Sequence, residues 1–495
     1  MGRVQCAPVQ WRVWHGVLLV TLVTALAAPT LFPFKVRASV PEKPADYEIS
    51  GGHFFTQTAG GQGGFGVREL GKPQKVDADT RFLIASNTKP LTTLLMARLV
   101  DEGKLDWETP VVEVYPDFRL GDESTTQQVR VKHLLCACTG LPRQDFEWLL
   151  EFEGATPRSA MATLGGMQPT TEFGDLFQYS NLMAAAAGFI AGNAIYPDKE
   201  LGAAYDEAMR TYVFGPLGMK GATFDFSLVE RGNHARPHGF DADGKLAVAS
   251  MDINYSILPV RPAGGAWVSA HDLMRYVRME LGQGRVPDGP QLVSEENLLA
   301  RRKKNVAIGE TAFYGMGLFV DSRWDVTVMS HGGSMIGYKS NMWMLPEHGI
   351  GAVILTNGDT GWLLTDHFGR RLLEVLFDGK PEAMENLLAA AEAWRARVAK
   401  ERESLVVPAD PAEAAKLAAH YRNDALGEII VRKSGKETVF DFGEWKSAVA
   451  SRKNDDGTIS FRTIDPGVEG FFEFVITGET LVLRDMQHEY IFTPE

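Results

Sequence analysis

The stretch FLIASNTKPLTTLLMARLVDEGKLDWETPV (Phe82–Val111) sets a serine and a lysine three residues apart at the start of a helix. From Leu91 on, Leu91, Leu94, Leu95 and Leu99 recur at helical spacing, which predicts an amphipathic helix with one buried side. Ser86 and Lys89 then lie near one another at its N-terminal end. A lysine in the first turn opposes the helix dipole, which favours cations in the last turn. Its placement there suggests a role beyond solubility. Taken alone, S-x-x-K is weak, because both residues are common.

Two later stretches supply company in a definite order. GDLFQYSNLMAAAAGFIAG (Gly174–Gly192) sets Tyr179, Ser180 and Asn181 before an alanine-rich buried helix, and VTVMSHGGSMIGYKSNMWMLPEHGIGAVILTN (Val326–Asn357) sets His331-Gly332-Gly333-Ser334 between two strand-like runs. S-x-x-K, then Y-x-N, then H-x-G in place of K-T-G resembles the serine β-lactamase/penicillin-binding-protein superfamily. The branch it looks most like holds class C β-lactamases, D-aminopeptidases and related esterases. TRFLIASNTK, LVDEGKLDWETPV, VRVKHLLCACTGLP, FQYSN, FGPLGM and GGAWVSAHDL extend the likeness over roughly residues 64–378. Three features depart from that pattern: His331 for lysine, Ala137 and its flanking cysteines before T-G-L-P, and the glycine-rich start at Gly51–Gly66.

The chemistry follows from the residue types. Ser86 is the expected nucleophile, and a hydroxyl needs an adjacent base. Keeping Lys89 neutral at pH 7 costs about 4–5 kcal/mol, and making a Tyr179 phenolate about 4 kcal/mol. Burial and the helix N-terminus lower the first figure, and a nearby cation lowers the second. The base role therefore falls to Lys89 and Tyr179 jointly. The resemblance implies that Asn181 bonds the substrate amide or positions Lys89. It also implies that His331, Gly333 and Ser334 line the substrate, with the backbone N–H groups of Ser86 and Ser334 as oxyanion donors. Histidine is only partly charged near neutrality, so His331 favours esters or other peptides over the carboxylate of a β-lactam. HGGS also occurs in α/β-hydrolases, but the G-x-S-x-G elbow of that fold is absent from this sequence.

The expected fold is α/β (α+β), an antiparallel sheet flanked by helices with a helical subdomain. At 495 residues the chain exceeds one ordinary domain. Residues 45–378 are assigned to the β-lactamase-like unit and 379–405 to a solvated helical linker. Residues 406–495, with runs such as EIIVRK, TVFDFG, TISFRT and TLVLRD, are assigned to a small β-barrel or lipocalin-like domain. Residues 1–38 read as a signal peptide or uncleaved anchor, with Arg3 and Arg12 ahead of the apolar run Val17–Ala28. That predicts a periplasmic or secreted protein, touching a membrane only through this segment and only if it stays uncleaved.

Net charge is −13, and −17 without the leader's four basic residues, which excludes a phosphate-backbone partner. Cys136 and Cys138 in C-x-C spacing read as unpaired half-buried side chains, too close for an easy disulfide. His234 and His238 read as loop residues, and no metal or organic cofactor is implied. Ser269 as N-cap and Asp272 at N3 read as a capping box, and Phe471, Phe472 and Phe474 as core. The expected function is an exported serine hydrolase cleaving an ester or amide through a Ser86 acyl-enzyme. The rivals are a β-lactamase or D,D-peptidase proper, and a non-catalytic binding protein of the same fold.

Overall fold

The computed structural model describes residues 63–495 apart from Glu151, Asp288 and Met486, together with two short strands before them. The leader, and the signal or anchor expected there, lie outside the described residues.

Among the described residues the principal sheet has eight strands: β1 (His53–Thr56), β2 (Gly60–Gly61), β3 (Val306–Ala307), β4 (Ala312–Tyr314), β5 (Phe319–Asp321), β6 (Val328–Met335), β7 (Tyr338–Leu345) and β8 (Ile350–Thr356). They run in the order β2-β1-β8-β7-β6-β5-β4-β3, and every pairing is antiparallel. Along β7 successive side chains alternate between two apolar clusters. Met342 and Met344 join the main core, and Trp343 and Leu345 face helix Gly361–Leu376. This period of two is what a sheet covered on both faces requires. The other face takes helix Ala270–Leu281, whose first turn is capped by Ser269 Oγ accepting the Asp272 N–H at 3.1 Å. The Asp272 carboxylate accepts from Gly221 N–H at 2.7 Å rather than closing a capping box.

Beside the sheet lie α1 (Thr88–Asp101) and α2 (Asn181–Ile195). The expected stripe of Leu91, Leu94, Leu95 and Leu99 is buried, but burial of α1 is not confined to one side. Eleven of its residues are buried, and Thr92 and Thr93 are accommodated because their hydroxyls bond backbone carbonyls. Neighbouring elements surround α1, so hydrophobic periodicity understated its burial. α2 is equally enclosed, and a Cβ at Gly188 would sit 2.4 Å from the Pro262 ring.

Helix Ala383–Glu403 is not purely solvated: Ala391, Trp394 and Val398 pack with Phe240 and Leu363. Beyond it, eight strands from His420 to Pro494 close into an antiparallel barrel, with Lys446–Lys453 pairing to Ile459–Thr463 to seal the ring. Phe472 and Phe474 fill its core, but Phe471 is 47% exposed, at the position alternating with theirs. Cys136 and Cys138 form a disulfide, contrary to the sequence expectation. Ala137 between them adopts a left-handed φ of 53°, and the Cα atoms stand 5.2 Å apart, within bridging range. His238 opens a short buried strand and accepts the Leu70 N–H, so it is not a loop residue.

Candidate active site

Ser86 sits in a single 3-10 turn, Ala85–Asn87, just ahead of α1. Ala85 has a φ of +48°, a left-handed conformation that costs energy for a residue with a Cβ and turns the chain sharply at Ser86. The turn is pinned to the sheet by Ser340 on β7. Its hydroxyl donates to Ile84 O at 2.7 Å and accepts from Asn87 Nδ2 at 2.7 Å. Gly333 on β6, opposite Ser340, completes the clamp. A Cβ there would lie 2.1 Å from Ile84 O, so only glycine lets strand and turn meet. Pairing of β6 with β5 ends at Ser330, leaving the edge from His331 onward without that strand partner.

Lys89 lies in the first turn of α1, and its Nζ is 3.0 Å from Ser86 Oγ. The same Nζ reaches Asn181 Oδ1 at 2.7 Å and Ala263 O at 2.6 Å. The side chain is 1% exposed. Burial, and then the nearby Arg143 cation, hold its pKa well below the ordinary lysine value. Asn181 begins α2, so two buried helix N-termini converge on the amine and disfavour its charge. The Asn181 amide is oriented from behind, because Nδ2 donates to Asp145 Oδ1 at 2.8 Å and so turns Oδ1 to Lys89. Asp145 also accepts from Trp148 Nε1 and pairs with Arg143. Burial pushes its carboxyl up, but Arg143 and these hydrogen bonds outweigh that and keep it ionised.

The Tyr179 ring lies against that of Tyr314, with centres 6.1 Å apart, and Lys89 Nζ is 4.7 Å from the centre of the Tyr179 ring. Although part of the ring is open to solvent, burial around the hydroxyl raises the phenol pKa above its usual value. His331 is 2% exposed and offers no free nitrogen. Its Nδ1 lies 2.6 Å from Gly332 O and its Nε2 2.9 Å from the Tyr314 hydroxyl. Burial, and then Lys89, push the imidazole pKa down to about 3, so it is neutral. The structure thus unites Ser86, Lys89, Tyr179, Asn181 and Gly333, and sets Ser334 on the same strand with its side chain exposed. The ring of His331 is withdrawn behind Tyr314 rather than presented to a ligand.

Tyr314, Asp145, Arg143 and the Ala263 carbonyl were not found from sequence. Their partners are far off along the chain, and only the T-G-L-P landmark just before Arg143 hinted at them. The barrel also reaches this wall. Gln487, on the hairpin before Glu489–Pro494, accepts from Arg143 N–H at 3.0 Å and donates to Gln178 Oε1 at 3.1 Å. Trp445 Nε1 donates to Leu149 O, Tyr490 donates to Glu147, and the Phe146 ring packs at a tilt against Phe472 and Tyr490.

A family model described as Beta-lactamase matches residues 38–375, the whole of the part that builds this site. The chain belongs to the beta-lactamase family. Among curated members, Protein flp of Staphylococcus aureus (strain MW2) is 23% identical over 320 residues, 63% of this chain and 60% of its own length. The chain therefore matches less than two thirds of that relative. Penicillin-binding protein 4 of Amycolatopsis lactamdurans is 26% identical over 64% of this chain and 83% of its own. The octameric penicillin-binding protein homologue of Pyrococcus abyssi superposes with a TM-score of 0.55 at 20% identity, over 89% of this chain and 94% of its own. A class C beta-lactamase structure gives 0.51 at 19% identity over 62% and 85%. The fold is thus that of the beta-lactamase-family serine hydrolases, mixed helices and antiparallel sheet, with an all-β barrel region at the C-terminal end.

Proposed function

We propose that the protein is an exported hydrolase that cleaves an ester or peptide bond through an acyl-enzyme on Ser86, with Lys89 as the base and Tyr179 as the acid. One observation carries this reading. A neutral amine has two hydrogens and one lone pair. Asn181 Oδ1 and Ala263 O take the two hydrogens, so the lone pair is left for the Ser86 hydroxyl at 3.0 Å. Lys89 takes the Ser86 proton as Oγ attacks the carbonyl carbon. The oxyanion is stabilised by the backbone N–H groups of Ser86 and Ser334. Tyr179, held as a phenol, gives its proton to the departing alkoxide or amine, and Lys89 returns a proton to Tyr179. Water then releases the acyl group by the same steps in reverse. Asn181 positions the amine, and Gly333 lets β6 close on the turn.

A neutral His331 supplies no cation for a carboxylate, which supports an ester or peptide substrate over a β-lactam. The test is intact-protein mass spectrometry within seconds of mixing with a short-chain ester, a D-alanyl amide or a penicillin. An adduct that maps to Ser86 and vanishes in Ser86→Ala supports the reading, and the reagent that gives it names the substrate class. If none forms and fluorophosphonate leaves Ser86 unmodified, the chain is a binding protein.

A further inference from the structure

We propose that Arg143 selects the substrate: its guanidinium, held against the Tyr179 ring at the mouth of the site, binds a carboxylate carried by the ester or peptide that acylates Ser86. This deepens the acyl-enzyme reading and rests on it. Arg143 lies between the disulfide and the short helix Phe146–Leu149, and it is fixed at three points. Its backbone N–H donates to Gln487 Oε1 at 3.0 Å, its Nε donates to Asp145 Oδ2, and its guanidinium carbon stands 5.5 Å from the centre of the Tyr179 ring. Asp145 engages it through Nε alone, because the other carboxylate oxygen, Oδ1, is spent on Asn181 Nδ2 at 2.8 Å and Trp148 Nε1 at 3.0 Å. The two terminal nitrogens of Arg143 make no hydrogen bond among the described residues, and the side chain is 55% exposed. They form a flat fork that matches a carboxylate bidentately, and anchoring at Nε leaves little freedom to be lost on binding.

The other basic groups around the site are occupied. His331 is neutral and shut behind Tyr314, and the Lys89 amine is taken up by Asn181 and Ala263. Lys339, opposite Ser334 on β7, pairs with Asp359 at 2.8 Å. Asp485, the barrel acid whose charge acts on Arg143, is turned to its own hairpin, where it accepts the N–H groups of Gln487 and His488, each at 2.6 Å. Tyr179 gives its proton to the departing group, so a substrate in place passes close to the guanidinium that lies against that ring.

The experiment compares kcat/KM within matched ester pairs. Para-acetoxybenzoate and para-acetoxybenzamide differ by a charge on the leaving group, and the para-nitrophenyl half-ester of adipic acid and para-nitrophenyl hexanoate differ by one on the acyl group. The anionic-to-neutral ratio of one enzyme is divided by that of another, so intrinsic reactivities cancel. In at least one pair the wild-type ratio should exceed that of Arg143→Gln by about fivefold or more at low salt, with the difference shrinking as salt is added. The pair that shows it names the end of the substrate that carries the carboxylate. Losing Arg143 also loosens Asp145, and through it Asn181 and Lys89, but that slows both members of a pair alike. It bares the Asp145 charge as well, so Arg143→Gln/Asp145→Asn, which has neither charge, serves as the control and should still fall below the wild-type ratio. The proposal is overturned if Arg143→Gln leaves both ratios unchanged, or if the double variant regains the wild-type ratios. Failure of every ester to acylate wild-type Ser86 would instead sink the underlying reading, whereas acylation with unchanged ratios sinks this proposal alone.

Discussion

Gly332 and Gly333 are neighbours on β6, and the structure assigns them opposite tolerances. A Cβ built on Gly333 lies 2.1 Å from Ile84 O and 2.4 Å from Ser340 Oγ, whereas on Gly332 the nearest atom is Asn341 Nδ2 at 3.6 Å. The Ile84 carbonyl is backbone in the turn that carries Ser86, so relief requires strand and turn to separate. Reaching even 3.0 Å needs 0.9 Å of movement. Overpacking of this kind costs about 1–3 kcal/mol of stability. A displacement near 1 Å at the reacting centre costs roughly 10²-fold in rate. Gly333→Ala should therefore lower kcat/KM for a scissile ester about a hundredfold, with a modest fall in Tm, and Gly332→Ala should stay within about threefold of wild type, as expected for ordinary van der Waals contact. Ester kinetics and thermal melts on the two variants make the comparison. Equal effects at both positions, or a Gly333→Ala enzyme within threefold of wild type, would refute the clamp between β6 and the nucleophile turn.

Other perturbations follow from the same geometry. Lys89→Met should cut Ser86 acylation by about 10²–10⁴-fold, the range for loss of a general base, read by single-turnover mass spectrometry. Because the folded-state pKa of Lys89 is depressed, the unfolded chain binds the extra proton below the ordinary lysine value of 10.5. Stability should therefore rise with pH from that depressed value up to 10.5 in the wild type, and this increment should be missing in Lys89→Met by chemical denaturation. Asp145→Ala frees the Asn181 amide to rotate and should lower kcat about 10- to 100-fold, matching about 1–3 kcal/mol for a disordered buried hydrogen bond. Gln487→Ala removes two exposed hydrogen bonds at the far end of the contacts that hold Lys89 and should lower kcat by about two- to tenfold, less than Asp145→Ala, checked by steady-state kinetics.

Ser86, Lys89, Tyr179 and Asn181 were legible because each pair is fixed by local spacing. Three positions around a turn, or two across the start of a helix, carry their geometry with them. Lys89 and Asn181 meet across 92 residues, yet each was already singled out by its own short pattern. Tyr314 had no such pattern. It ends a three-residue strand, and its hydroxyl meets His331 only because the row Tyr314–Phe319–Ser330 across the sheet sets the two side by side. Asp145 looks like an ordinary surface acid until Arg143 and Asn181 are folded onto it. The disulfide escaped because a C-x-C bridge depends on Ala137 taking a left-handed backbone, which composition does not reveal. The barrel was legible as spaced strands and turn signals, but its contact with Arg143 was not, since Gln487 lies 344 residues further on.

The chain of contacts from barrel to amine also sets an order of events. Gln487 holds the Arg143 backbone, Arg143 pairs with Asp145, Asp145 turns the Asn181 amide, and Asn181 fixes Lys89. Translation supplies these residues in nearly the opposite sequence, with Lys89 first and Gln487 nearly four hundred residues later. A chain stopped short of Gln487 would hold Ser86 and Lys89 but lack the outermost of these contacts. The frame around the amine is therefore complete only with the last hairpin of the barrel, so an unfinished polypeptide carries the short motifs without the whole of what holds them.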